Sequence, residues 1–258
     1  MIGAIAGDII GSAFEGRPTK EYNFPLFSPR AAYTDETVMT VATAWALLND
    51  SEYGNAYKNF GRRYPMAGYG EAFFQWLMSE VDQPYFSWSN HSAMRVSPIA
   101  YAFNTDVEVL EAAKRSAEVT HNHPEGIKGA QAVALAVFRA RKGKKKAFIK
   151  EEIEFLFNYD LERSLAQIRP NYTFHTTCQH SVPESIIAFL ESENLEDAIR
   201  KVISLGGDSD TMACITGAIA HAYYKQVPKH ILREVNSQLP DEFLEIIKRF
   251  NQTYGLPK

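Results

Sequence analysis

Residues 195–203 read Leu195-Glu196-Asp197-Ala198-Ile199-Arg200-Lys201-Val202-Ile203, and residues 130–138 read Ala130-Gln131-Ala132-Val133-Ala134-Leu135-Ala136-Val137-Phe138. In the first, Leu195, Ala198, Ile199, Val202 and Ile203 recur at the spacing of one apolar stripe on a 3.6-residue helix; Ala130, Val133, Ala134, Val137 and Phe138 repeat it in the second. Asn194 is placed to cap the first helix, and Ser181 with Glu184 forms an S-x-x-E capping box ahead of Ile186, Ile187 and Leu190. The same periodicity predicts further helices over 2–14, 36–49, 70–80, 92–102, 107–118, 147–157, 210–224 and 240–251. Tyr172–Thr177 is β-prone but has no partner run or hairpin turn nearby, so it reads as extended loop. The basic run Lys142–Lys146, with Gly143 inside it, reads as the solvated end of the helix before it. No linker or fixed-period repeat divides the chain. The expectation is an all-α protein, one compact multi-helix domain over residues 1–258.

Composition agrees. Of 258 residues, 45% are apolar and 22% charged, which excludes disordered, collagenous and low-complexity classes. A net charge of -4 argues against a nucleic-acid-binding domain, and none is expected as a partner. The two cysteines, Cys178 and Cys214, offer neither a metal spacing nor a disulfide framework and read as packed thiols in a reducing, cytoplasmic setting. The apolar N-terminus has no basic start and carries Asp8, so it does not read as a signal peptide. Apolar runs such as Ala132–Phe138 fall well short of the ~20 residues of a membrane span. The expected protein is soluble, off the membrane and monomeric.

Chemistry concentrates in two turns. Leu205-Gly206-Gly207-Asp208-Ser209-Asp210-Thr211 precedes a helix carrying Met212, Ile215, Ile219 and Tyr223 on one face. One Asp there is explained by helix capping alone, but two Asp bracketing Ser after a Gly pair exceed what a cap requires. Carboxylates and a hydroxyl converging at a helix start suit a hard cation such as Mg²⁺ or Mn²⁺. Tyr33-Thr34-Asp35-Glu36-Thr37 repeats the arrangement at another helix entry, where an ordinary capped start is the plainer reading. Taken together, the turns suggest two oxygen-rich halves around two cations, which can orient substrate hydroxyls and polarise a water. Glu15, seven residues after Asp8, would share its helical face and is a third candidate carboxylate.

These residues carry a resemblance. Gly3-Ala4-Ile5-Ala6-Gly7-Asp8 with Gly11 and Phe14-Glu15, then Tyr33 to Thr40, and Gly206 to Thr211, are similar to the ADP-ribosylglycohydrolase family, which includes the hydrolase that reactivates dinitrogen reductase. Ser92-Ala93-Met94-Arg95-Val96, Thr120 to Ala130, Cys178-Gln179 with Ser181-Val182-Pro183-Glu184, and Glu196 to Arg200 follow in the family's order, so the likeness runs from about residue 2 to about 228. It implies an all-helical fold with two Mg²⁺ or Mn²⁺ ions at the floor of a cleft that accepts ADP-ribose. By that likeness Thr34, Asp35, Glu36, Asp208, Asp210 and Thr211 are metal ligands, and Glu15 and Asp35 are catalytic carboxylates near the anomeric carbon.

The implied activity is metal-dependent hydrolysis of the glycosidic bond joining ADP-ribose to an acceptor, a protein arginine or a related protein or small molecule. Such cleavage passes through an oxocarbenium-like state that gains from a well-placed sugar and an activated water. Ser87, Trp88, Asn90 and Ser92, just before a helix, are expected to hold the rest of the ligand, with backbone N–H groups meeting the diphosphate and Trp88 stacking on a ring. His121, Gly126 and Gly129 are the further expected substrate contacts. The chain departs from the family pattern at Ser89 and His91, where Gly is usual, and at Glu36, where Asp is frequent. His121-Asn122-His123 does not read as a nuclease motif, because Pro124 and an amphipathic helix follow it. The alternative is a non-catalytic member that binds ADP-ribose or a nucleotide; the nearly intact acid set favours the enzyme. A metal-dependent nucleotide pyrophosphatase would call for repeated helical E-x-x-E patterns, which the Asp-rich turns lack.

Overall fold

Gly3, Gly7 and Gly11 fall four residues apart, so on a helix they make one bare stripe, and the fold is built on it. The computed structural model describes residues 1–255; residues 256–258, which the sequence reading included in the domain, lie outside the described residues. In α1 (Ile2–Ser12) the stripe faces a later helix (Ser209–Tyr224) so closely that an added Cβ at Gly7 would collide with the Ala213 backbone, at Gly3 with Gly217, and at Gly11 with Ser209 and Asp210. The pairing order runs in opposite directions along the two helices, so they are antiparallel, and the end of α1 meets the start of its partner.

The remaining helices wrap this pair. They are α2 (Asp35–Leu48), α3 (Tyr53–Arg63), α4 (Glu71–Met78), α5 (His91–Met94), α6 (Ile99–Ala102), α7 (Asp106–Glu118), α8 (Pro124–Arg141) and α9 (Lys146–Phe157). There follow α10 (Leu165–Ile168), α11 (Cys178–Leu190), α12 (Leu195–Ile203), the central α13 (Ser209–Tyr224), α14 (Lys229–Gln238) and α15 (Asp241–Thr253). No strand occurs among the described residues, as expected for an all-α chain. α8, α11 and α12 pack on α13, α2 leans on α1, and the buried apolar residues join in one continuous core. No described helix is long and apolar enough to cross a membrane.

Local chemistry corrects several expectations. The helix expected over 92–102 is two short ones, because Pro98 disfavours helix at Ser97 and cannot donate an N–H. The Ser181–Glu184 capping box does not form. α11 already starts at Cys178, Ser181 Oγ donates to the Thr177 carbonyl at 2.8 Å, and Glu184 pairs with Arg163 at 2.8 Å. Capping boxes form instead at Thr105–Glu108 and Ser164–Gln167. α3 and α14 escaped the apolar pattern because most of their residues are polar, although Tyr53, Ala56, Tyr57 and Phe60 do bury one stripe. Asn194 caps α12 as read, accepting from the Asp197 amide at 2.9 Å. Tyr172–Thr177 is extended, touching the 88–90 segment through a lone bridge between Ser89 and Thr177. Residues 142–145 are exposed just past the end of α8, as expected, but Lys146 is half-buried: it opens α9 and donates inward to the Leu190 carbonyl at 3.1 Å and the Tyr224 hydroxyl at 2.9 Å.

Candidate functional site

Because α1 and α13 are antiparallel, the last turn of α1 and the Gly206–Asp208 turn lie at one end, and the first turn of α2 closes on them. Asp8, fully buried on α1, does the joining. Its carboxylate accepts from the Thr34 amide at 2.9 Å, the Thr37 amide at 3.1 Å and the hydroxyls of Thr34 and Thr37. Thr34, the N-cap of α2, makes no side-chain cap bond of its own, so Asp8 caps α2 from another helix. Glu36 spans the two acidic turns. One oxygen lies against the Thr34 hydroxyl and the other accepts from the Thr211 hydroxyl at 2.6 Å, joining residues 175 apart in sequence. Asp210 accepts from the Thr211 amide at 2.9 Å, and Asp208 accepts from the Asn90 side-chain amide at 2.7 Å.

Two overlapping carboxylate groups result. Oxygens of Asp8, Glu36 and Asp210 lie within 4.8 Å of one another, and so do those of Glu15, Asp208 and Asp210. Asp210 belongs to both. None of these acids, nor Asp35, forms an ion pair with Lys or Arg among the described residues. Burial, with the Glu36 charge adding to it, pushes Asp8 up to about 7; burial, again with Glu36, lifts Asp208 to about 7 as well. The same two causes raise Asp35 and Asp210 well above the ordinary carboxylate range and raise Glu15 too. The Thr34 hydroxyl has one hydrogen but faces oxygens of both Asp8 and Glu36. Such a set, all hard oxygen and short of positive charge, fits divalent cations bound through carboxylate and hydroxyl. Asp8 already accepts four hydrogen bonds, which suits it to holding α2 in place more than to ligation.

A cleft of ≈ 160 Å³ opens on these residues. The structure brings Glu15, Thr34, Asp35, Glu36, Asp208, Asp210 and Thr211 together on its lining, as the sequence reading grouped them. Glu15 arrives differently from the expectation: α1 ends at Ser12, so Glu15 sits in the exposed turn beyond it and shares no helical face with Asp8. The expected diphosphate wall is also rearranged. The Asn90 amide is spent on the Thr176 carbonyl at 2.8 Å and the Ser89 amide on Ser87 Oγ at 3.2 Å, leaving neither free for a phosphate.

The other expected substrate contacts stand behind the wall. Ser92 is buried and donates to the Gly126 carbonyl at 2.7 Å. Buried His121 has both ring nitrogens engaged, with Ser89 Oγ at 2.9 Å and Thr120 Oγ1 at 2.8 Å. A Cβ at Gly126 would come within 2.7 Å of the Ser87 carbonyl, and one at Gly129 would collide with Cys178 Sγ, so both glycines serve close packing of α8. Trp88 is 49% exposed and packs edge-on against His123 at 5.4 Å between ring centroids. The cleft wall includes His91, where the chain departs from the family's Gly, and two side chains outside the expected set, Phe174 and Thr176. The departure from Gly at position 91 was the available signal for the first; the extended run 172–177 gave none for the others. Cys178 is buried, and burial pushes its thiol up to about 12, against a nucleophilic role.

Known proteins bear on this geometry. A sequence model of the ADP-ribosylglycohydrolase family matches residues 1–257. ADP-ribosylhydrolase ARH3 of Gallus gallus is 28% identical over 88% of this chain and 85% of its own length. The Homo sapiens ARH3 is 26% identical over 89% and 86% respectively. A solved ADP-ribosylglycohydrolase-related protein complex superposes with a TM-score of 0.79 at 20% identity, covering 98% of this chain and 97% of that one, a likeness of fold. With the family pattern matched along nearly its whole length, the chain belongs to the ADP-ribosylglycohydrolase family.

Proposed function

We propose that this protein is a metal-dependent hydrolase that releases ADP-ribose from an acceptor by cleaving the N- or O-glycosidic bond at C1″ of the distal ribose, with a modified protein arginine as the first acceptor to test. The observation that carries the reading is the pair of carboxylate groups that share Asp210 beside the cleft, with no Lys or Arg ion-paired to them among the described residues. Thr34, Asp35, Glu36, Asp208, Asp210 and Thr211 would hold two Mg²⁺ or Mn²⁺ ions. Bound there, such ions supply fixed positive charge for gripping ribose hydroxyls and lowering the pKa of a water.

The chain's own residues do the rest. Asp8 fixes the first turn of α2, so Thr34, Asp35 and Glu36 face the cleft without rearrangement. Glu15, in the exposed turn after α1, is the carboxyl best able to meet a leaving group, and desolvation together with the Glu36 charge raises its pKa in the direction a proton donor needs. Asp35, on the same cleft lining, is the second candidate catalytic carboxyl. Trp88 at the exposed edge would stack on the base, while Ser87, Asn90, Ser92, His121, Gly126 and Gly129 support the ADP end from within the wall.

The test incubates the protein with Mg²⁺ or Mn²⁺ and peptides carrying ADP-ribosyl-arginine or ADP-ribosyl-serine, and measures free ADP-ribose. Release that is abolished by EDTA and restored by the divalent ion is expected. Tight binding of ADP-ribose with no release from either peptide would favour a binding module instead.

A further inference from the structure

The turn that carries Glu15 has few anchors of its own. Residues 15–18 and 20–23 are exposed, and the segment is held by Phe14 against Phe24 at 4.6 Å and, at its far end, by the Tyr22 hydroxyl on Asp197 at 2.7 Å. Between these lies Lys20. Its ammonium donates to the Leu205 carbonyl and, at 2.6 Å, to the Tyr172 carbonyl, and it forms no ion pair among the described residues. Leu205 opens the glycine turn into Asp208, while Tyr172 begins the extended run that carries Phe174 and Thr176 on the cleft wall.

The contact is broad. Gly206 adopts φ +70°, and a Cβ there would meet Lys20 Cε and the Thr19 carbonyl, each at 3.2 Å, so the 19–20 backbone and the Lys20 stem lie directly over the turn. On the neighbouring position the Tyr172 ring fills the space a Cβ on Gly207 would need, and the Tyr172 hydroxyl reaches Met212 Sδ at 3.4 Å. The two glycines are thus gripped between Lys20 and Tyr172. One ammonium, with three freely rotating donors, satisfies carbonyls from two separate walls of the site.

We propose that Lys20 is a positioning residue that docks the Glu15 segment onto the Gly206–Gly207 turn and the 172–176 wall, setting where the Glu15 carboxyl stands over Asp208 and Asp210. The inference rests on the reading of Glu15 as a catalytic residue of this cleft, given above. Lys20 itself lies outside the cleft lining and acts only through the segment it holds. Loss of the clip leaves the helical core intact but lets the Glu15 turn move, and a displacement near 1 Å at such a residue is worth on the order of 100-fold in rate.

The experiment is a double-mutant cycle on the full chain with Mn²⁺, using K20M, E15Q and the pair, with K20R as the conservative variant. K20M should lower kcat roughly 10- to 100-fold with little change in KM, and K20R should recover part of the loss. In the E15Q background K20M should change kcat less than about twofold, because the two residues act as one unit. Amide hydrogen exchange in K20M should quicken over residues 13–22 and stay slow in α1 and α13. With E15Q itself impaired, equal losses from K20M in both backgrounds would overturn the docking role, and unchanged exchange over 13–22 would overturn it in any case. An E15Q enzyme as active as the parent would instead overturn the role of Glu15, and exchange, which needs no activity, would still decide whether Lys20 docks the segment.

Discussion

Glu36 touches both acidic turns, with one oxygen on the Thr34 hydroxyl and the other accepting from Thr211 at 2.6 Å. It also raises Asp8, Asp35, Asp208, Asp210 and Glu15 through its charge, so it is the shared source of repulsion as well as the link. Replacing it therefore has two effects of opposite sign. Glu36→Ala is expected to abolish ADP-ribose release and weaken Mn²⁺ binding, yet to raise the melting temperature in EDTA; Glu36→Asp, which keeps the charge on a shorter arm, is expected to retain activity. A lower melting temperature of Glu36→Ala in EDTA would show that the repulsion is not felt. Asn90 gives a second residue-scale test. Its amide holds Asp208 at 2.7 Å and it is fully buried, so Asn90→Ala should lower Mn²⁺ affinity ~10- to 100-fold by calorimetry, as partners of metal ligands do. The acidic turns were legible because two Asp bracketing Ser after a Gly pair exceed what a helix cap requires. Asn90's engagement was not, because nothing in a sequence says that its amide points at an acid 118 positions away.

At the scale of elements, the α1–α13 pair decides where the acids stand. Gly7 lies directly on the Ala213 backbone, so Gly7→Ala forces the helices apart, and no rotamer change can relieve a clash with main chain. Overpacking of this kind costs about 1–3 kcal/mol or more, and denaturant unfolding should place this variant at the upper end. Because Asp8 is the next residue, the same shift should loosen its grip on the Thr34 and Thr37 amides and lower divalent affinity in whatever fraction remains folded. The glycine stripe was visible in the sequence as a family signature, but its partner was not, since Gly217 and Ala213 announce no contact. The helices that carried regular apolar stripes were legible to within a few residues. Those that failed did so for local reasons: Pro98 split one, Thr177 rather than Ser181 begins another, and polar α3 hid its aromatic stripe.

Over the whole molecule, the opposing ends of α1, α2 and α13 crowd their acids together out of water, and this couples folding, protons and metal. Asp8 and Asp208 rise from ordinary carboxylate values to about 7, so between about pH 4 and pH 7 the metal-free folded chain binds protons that the unfolded chain has released. The stabilisation from these groups is therefore present at the acid end and lost as pH rises through about 7. Buried His121 and His221 act the other way. Burial lowers both, so their contribution grows with pH until the unfolded histidines have lost their protons near 6.5, and the melting temperature alone mixes the two trends. The increment produced by a divalent ion separates them, because the histidines are present with and without it while the acids must give up protons to bind it. The rise in melting temperature caused by saturating Mg²⁺ should accordingly be small at about pH 5.5 and grow to about pH 8, and Asp208→Asn should flatten the trend. Calorimetry at several pH values with EDTA or Mg²⁺ measures it directly, and an increment that stays constant with pH would mean that these carboxylates do not take up the ion.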